Sequence, residues 1–501
     1  MGVVKLLDQL DGLKNQFTPD AARRVERLLD RLSHQKLNDT DLLVRYHEIL
    51  LFLRAYPQNA PMLRATEKEL RSFPDRVVAL EVDPSPLEHP AVSGIAGTSV
   101  TDTFSFYIVR WLLQRHPSEI AIYWEWVEDV NRLAATWPRF MPLLEEDAFA
   151  EANVPYREWL AAARDGRKEL AWLIDRFDTL PKPENERAEL YDSQNLYVQW
   201  TPAFPATRTG MGLPERKPFF HRGPLIQRRD IDLRKELVQP LTLQKLSLRQ
   251  GERAIDHARE ASTIRYRELY GFTHADPKYV YHVELGRGVE LFLMGLPAEK
   301  RLPLRTCHAA MIYKNGVPIG YFEGLSLFER MESGFNLYYT FRDGETAWLY
   351  ARTLNVMHRH LGVTAFSLDP YQIGHENEEG IESGAFWFYR KLGFRPTRRE
   401  ALQLALKEEQ KLKTRKGYRT PAATLRKLAA SPMIFELDDK RRGDWDRFQV
   451  RRIGFKAQRA KNVLSMIRNL AQAKRGAEEV TYLRLMQKDE KLRSAIINLG
   501  S

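Results

Sequence analysis

Two apolar runs meet at Lys314-Asn315-Gly316-Val317, and the second, Val317 to Phe328, is apolar on both of its faces. Asn-Gly between apolar runs marks a tight hairpin, because both turn positions call for positive φ. On the second strand Ile319, Tyr321 and Leu325 occupy one face, and Phe322 and Phe328 the other. A strand that is apolar on both faces needs a covering layer on each side. The chain is therefore expected to contain an α/β (α+β) domain with helices on both faces of its sheet. The runs Tyr279 to Glu284, Val289 to Met294 and Arg305 to Tyr313 read as further strands of that sheet.

The chain has 501 residues, 43% hydrophobic and 29% charged, enough for several cores and unlike a disordered composition. Its net charge of +11 favours acidic partners: nucleic acid, an anionic membrane surface or a phosphorylated cofactor. The single cysteine, Cys307, excludes an intramolecular disulfide and a cysteine-built zinc site, and suits a reduced, cytoplasmic setting. Strand alternation puts Cys307 and His308 on opposite faces, which disfavours a nucleophilic pair. His358 and His360 point to different faces of their helix, so no metal site is expected. No apolar run approaches the ~18 residues of a membrane span. The amino terminus lacks the long apolar core of a signal peptide.

Residues 1–75 carry helical periodicity, with Thr18-Pro19-Asp20 as an N-cap followed by proline and Asn38-Asp39-Thr40 starting another helix. Residues 93–180 are also expected to be helical, over Thr103 to Arg115, Ala121 to Thr136 and Tyr156 to Phe177. Their tryptophans (Trp111, Trp124, Trp126, Trp137, Trp159, Trp172) are read as core. Ser93 to Ser99 is read as a small-residue turn, since it lacks the lysine and spacing of a phosphate loop. Residues 181–241 read as an irregular, proline-rich linker, strongly basic from Arg216 to Arg234. A helix is expected from Leu243 to Tyr270. Residues 438–501 form a basic helical tail, and nucleic acid is a conceivable partner for the linker and tail.

Between these lies the stretch that carries chemistry. A strand, Phe335 to Phe341, runs into Arg342-Asp343-Gly344 and a helix from Glu345 to His360; a second strand, Thr364 to Asp369, follows. A helix amino terminus offers unpaired N–H groups and partial positive charge, a place for a pyrophosphate. Arg342 adds a guanidinium suited to phosphate. Then comes Ser383-Gly-Ala385-Phe-Trp-Phe-Tyr389-Arg-Lys391-Leu-Gly393-Phe394, in which Ser383 is an expected N-cap and Gly393 an expected left-handed C-terminal turn. This segment closely resembles the motif of the GCN5-related N-acetyltransferase (GNAT) superfamily, where Ala, Tyr, Lys, Gly and Phe fall at this spacing. The resemblance covers residues 243–437, with Met433 to Leu437 completing the sheet.

The resemblance implies direct transfer of an acyl group from acetyl-CoA, or another acyl-CoA, to an amine. Tyr339, Thr340 and Phe341 would line the cofactor's amide arm, and Arg342, Asp343, Gly344, Glu345 and Thr346 its pyrophosphate. Tyr389 matches the family's tyrosine that protonates the departing thiolate. The family's phosphate turn reads Gln/Arg-x-x-Gly-x-Gly/Ala. Anchored on Gly344, this chain has Phe341 at the basic position and Thr346 at the small one. The preceding strand also lacks the glutamate that often serves as base. Glu323 on the neighbouring strand is the first substitute, with His375 and Glu376 in the acidic loop as others. Two alternatives stand beside the enzyme: a non-catalytic scaffold of GNAT type, and an acyl or aminoacyl transferase acting with RNA.

Overall fold

The computed structural model describes residues 2–127, 156–213, 217–302, 304–473 and 477–501. Two sheets are present among them. The small one contains β1 (Val100–Asp102), β2 (Ile120–Ile122) and β3 (Val198–Trp200), in the order β1-β3-β2. The large one runs from β4 (Leu243–Lys245) through β5 (Val280–Gly286), β6 (Val289–Gly295), β7 (Thr306–Lys314), β8 (Val317–Leu327) and β9 (Arg330–Leu337). It continues with β10 (Ala365–Leu368), β11 (Arg395–Pro396) and β12 (Met433–Glu436). Its order is β11-β12-β10-β9-β8-β7-β6-β5-β4. Every neighbouring pair is antiparallel except β9–β10, which is parallel. A parallel pair needs a long crossover, and helix Thr346–Leu361 supplies it.

Both faces of the large sheet are covered, as the two-sided strand required. Along β7, Ala310 and Ile312 join a core with helices Val3–Leu13, Thr40–Ala55 and Thr346–Leu361. Their neighbours Ala309 and Met311 join a second core with helices Phe106–Arg115 and Leu248–Thr263. The hairpin turn has Asn315 at φ 48° and Gly316 at φ 80°, both positive as Asn-Gly predicted. Thr18 and Asp39 cap their helices through the N–H groups of Ala21 and Leu42.

Several sequence-based expectations are corrected. The helix expected to start at Ala121 is replaced over residues 121–127 by the end of β2 and the short turn Trp124–Trp126; residues 128–136 lie outside the described residues. Trp111 and Trp172 are core residues, Trp126 is exposed, and Trp137 and the side chain of Trp159 lie outside the described residues. Strands of three residues carry too little periodicity to announce themselves. The stretch 181–241 contains helices Glu184–Asp192 and Leu233–Leu237 as well as β3, and it buries Arg208, Thr209 and His221. The helix expected from Leu243 splits into β4 and Leu248–Thr263, followed by the short Tyr270–Thr273. Ser383 is not an N-cap: it closes helix Glu378–Glu382, and Gly384, at φ 68°, precedes helix Ala385–Arg390.

The tail forms helices Val450–Arg459, Lys461–Ala473, Glu479–Lys488 and Glu490–Gly500, which share a third core with Phe328, Ile434 and Trp445. Two of its basic residues are spent internally: Arg441 pairs with Glu490, and Arg493 with Glu329 and Asp444. Glu479 docks the tail on the sheet by accepting the N–H groups of Leu296 (3.0 Å) and Cys307 (2.8 Å). Burial pushes its carboxyl up to about 7 despite those donors. A pKa raised in the folded state favours folding at low pH. That contribution is full below 4.5 and fades as pH rises through 7, a difference of about 3 kcal/mol. Unfolding of the wild type and of Glu479→Gln, compared at pH 5 and pH 8, should show this loss only in the wild type. Among the described residues, no helix is long and apolar enough to cross a membrane. No group of three or more His, Cys, Asp or Glu among them could hold a metal ion.

Candidate functional site

β9 is shorter than the aromatic run suggests. It ends at Leu337, and Tyr339–Phe341 forms a tight helical turn in place of strand. The N–H groups of Phe341, Arg342 and Gly344 bond the carbonyls of Tyr338, Tyr339 and Phe341. Arg342 and Gly344, two of the five residues expected to face a pyrophosphate, thus spend their N–H groups within the turn itself. The helix then starts at Thr346, one residue later than expected, and the Thr346 hydroxyl bonds the Arg342 carbonyl.

Of the eight residues assigned to cofactor binding, four line a cavity, two are buried in the core, and Gly344 and Thr346 do neither. Tyr339, Thr340, Arg342 and Asp343 line a cavity of about 850 Å³. Phe341 and Glu345 are buried in the core. Glu345 accepts the Ile226 N–H and pairs with Arg287 (2.5 Å) and Lys314 (3.4 Å). Burial pulls Lys314 down to about 8 although Glu345 opposes it. Glu345 is therefore an anchor of the fold and not a cofactor contact.

Gly344 lies against Tyr56, the residue that closes the Thr40–Ala55 helix, and a Cβ there would overlap the Tyr56 hydroxyl. Tyr56 is buried and stacked on Phe52 at 4.7 Å, so it has little room to yield. Gly344→Ala is expected to destabilise the protein by about 1–3 kcal/mol through overpacking. Chemical denaturation should detect it, with Tyr56→Phe recovering part of the loss.

The edge of β9 opens at a defined level. Only Arg330, Met331 and Glu332 pair with β10, whereas the ladder to β8 continues to Leu337. Residues 333–337 thus have a strand on one side only. Tyr389 and Glu323 both lie near this opening, and neither lines the cavity. Tyr389 packs against Tyr350 (5.4 Å between ring centres), whose hydroxyl is 3.0 Å from that of Ser333. Burial pushes the Tyr389 hydroxyl well above its usual range. Glu323 is half-buried, stands opposite Gly334 in register, and has its carboxyl raised by burial. Ser333 pairs with Gly324, so strand alternation puts Ser333 and Glu323 on opposite faces of the sheet. The other two base candidates are in a turn: Glu376 has φ 55°, and His375 donates its backbone N–H to the Pro370 carbonyl.

The cavity is walled by parts of the chain that no local pattern connects. The amino-terminal helical region contributes Lys14, Arg45 and Glu48, the proline-rich stretch Arg208, the segment after helix Leu248–Thr263 Arg265 and Arg267, β8 Tyr321, and the residue after β9 Tyr338. Lys14 pairs with Asp11 and Asp343, Arg45 with Asp11, and Arg342 with Glu379. Arg208 pairs with Glu48 at 2.7 Å and donates to the Ala91 carbonyl. Burial pushes Glu48 up, but Arg208, His47 and Thr340 outweigh it and hold its carboxyl at about 2. Arg265 donates to the Ala261 carbonyl and stacks 4.0 Å over the Tyr338 ring. Burial draws Arg265 down to about 10. Sequence reasoning missed these residues because each stands alone in its own segment; the double cation Arg265-Tyr-Arg267 was the one visible signal. No protein-family model, curated protein or solved structure matches the chain.

Proposed function

We propose that the chain is a GNAT-type N-acyltransferase that moves an acyl group from acyl-CoA to an amine by direct attack. The carrying observation is the opening of β9 beyond Glu332, flanked at that level by Tyr389 and Glu323 from opposite sides of the sheet. The element order from the hairpin through β9, the crossover helix, β10 and the Tyr389 helix supports the same reading.

The open edge of residues 333–337 fits an amide arm, since one of its sides has no strand beside it. The turn after β9 fits a pyrophosphate poorly in the family's manner, because the N–H groups of Arg342 and Gly344 and the Arg342 side chain are already engaged. Bound acyl-CoA would supply an activated thioester. Glu323 then takes the proton of the attacking amine, for which a carboxyl raised by burial is better matched than an ordinary one. Tyr389 keeps its proton at neutral pH and gives it to the departing sulfur.

The test is calorimetric titration of the full chain with acetyl-CoA, together with thiol release in the presence of simple amines. Binding with a dissociation constant between about 1 µM and 1 mM is expected. The engaged turn favours a second reading, a non-catalytic scaffold of the same type, and absence of binding at millimolar acetyl-CoA would decide for it. An RNA-associated transferase remains the reading of the basic charge; it predicts RNA retention that falls steeply with salt.

A further inference from the structure

The cavity holds more unpaired donor capacity than its own carboxylates satisfy. Arg208 and Arg265 are 6% and 8% exposed, and the Nε of each is buried without a partner. The Tyr338 hydroxyl between the same walls is also buried and unpaired. Buried polar groups are paired in the great majority of cases, and unpaired ones call for an explanation. Of the two arginines, Glu48 pairs only with Arg208. Arg265 has no carboxylate within ion-pair distance, and Arg267 at the exposed end has none either among the described residues. Two guanidiniums, one phenol and one carboxylate leave a net positive site beside Tyr321 and Tyr338. Such a site takes an oxyanion: guanidinium N–H groups bond carboxylate or phosphate oxygens with charge assistance.

It shares one cavity with Tyr339, Thr340, Arg342 and Asp343, on the side of that cavity nearer Tyr321. Arg265 follows helix Leu248–Thr263, which packs with Tyr321 on one face of the sheet. Helix Thr346–Leu361, whose amino-terminal turn the cofactor would approach, packs on the other face. Glu323, the proposed base, is two residues along β8 from Tyr321 and shares its face. We propose that Arg208, Arg265 and Tyr338, with Arg267 at the mouth, bind the carboxylate or phosphate of an acidic acyl acceptor and aim its amine at the opening of β9. This inference rests on the acyl-transfer reading, and the acceptor class it names is a small amine bearing an acidic group.

The experiment titrates the full chain with two probes, succinate for a carboxylate and pyrophosphate for a phosphate, with and without saturating acetyl-CoA. Saturable binding of one probe is expected, and the probe that binds identifies the acidic group. Arg265→Gln should weaken it by about tenfold or more, the loss of one charged hydrogen bond. Arg267→Ala, at an exposed position, should weaken it by up to about fivefold without changing the melting temperature of the free protein. Acetyl-CoA should leave the probe's affinity essentially unchanged. Binding of neither probe, or affinity unchanged in both variants, would overturn the site. Mutual exclusion with acetyl-CoA would overturn it as an acceptor site and assign the guanidiniums to the cofactor's phosphates. Probe binding without any acetyl-CoA binding would remove the acyl-transfer reading and uphold the anion site.

Discussion

Glu345→Ala is expected to cost the folded protein about 3–5 kcal/mol, because it strips the counter-charge from a buried ion pair. The Lys314 side chain is fully buried and Glu345 is 1% exposed; Arg287 reaches the same carboxylate from the strand turn. Without Glu345, two cations face one another out of water. The folded state then disfavours a charged Lys314 more strongly than it already does. A lysine whose pKa is depressed on folding gives a variant that gains stability as pH rises toward the unfolded value of 10.5. Unfolding at pH 7 and pH 9 should therefore show a larger deficit at pH 7. Lys314→Met in the same chain should recover part of the loss, since apolar replacement of a buried ion is often tolerated. A Glu345→Ala protein within about 1 kcal/mol of the wild type would contradict the anchoring role.

Tyr389→Phe carries the largest expected effect on activity. Loss of a general acid should lower turnover by about 10²–10⁴-fold while leaving the acetyl-CoA dissociation constant unchanged. The substitution keeps the ring that packs on Tyr350, Phe388 and Phe394, so folding should survive it. Glu323→Gln gives the complementary signature. With its carboxyl raised by burial, the wild type should gain activity as pH rises through a value above the ordinary carboxylate range. That acidic limb should vanish in Glu323→Gln. Thiol release measured across pH 5 to pH 9 checks both, and unchanged turnover in Tyr389→Phe would exclude it as the acid.

The limits of sequence reading fall at particular residues. The run Leu337-Tyr-Tyr-Thr-Phe341 has the aromatic and β-branched character of a strand, yet the Phe341 N–H bonds back to the Tyr338 carbonyl and bends the chain out of the sheet. Local propensity lost to the packing of the turn under Tyr56 and Glu48, which lie some 290 residues earlier. Glu345 looked like the first residue of a phosphate-binding helix. Its partners come from the β5–β6 turn (Arg287) and from β7 (Lys314) and could not be read from its own segment. The same holds for Arg208, which sat in a stretch that read as a solvated linker.

By itself the sequence determined the two-sided sheet, the Asn315-Gly316 hairpin, the amino-terminal caps and the crossover helix. Each rests on periodicity or turn chemistry within a few residues, which local sterics enforce. Only the tertiary structure decided where β9 parts from β10, which turn donors are already engaged, and that Arg208, Arg265 and Glu48 share one cavity. Those outcomes depend on non-local pairing and on burial, where the cost of an unpaired charge or donor is set by whatever distant segment arrives to meet it.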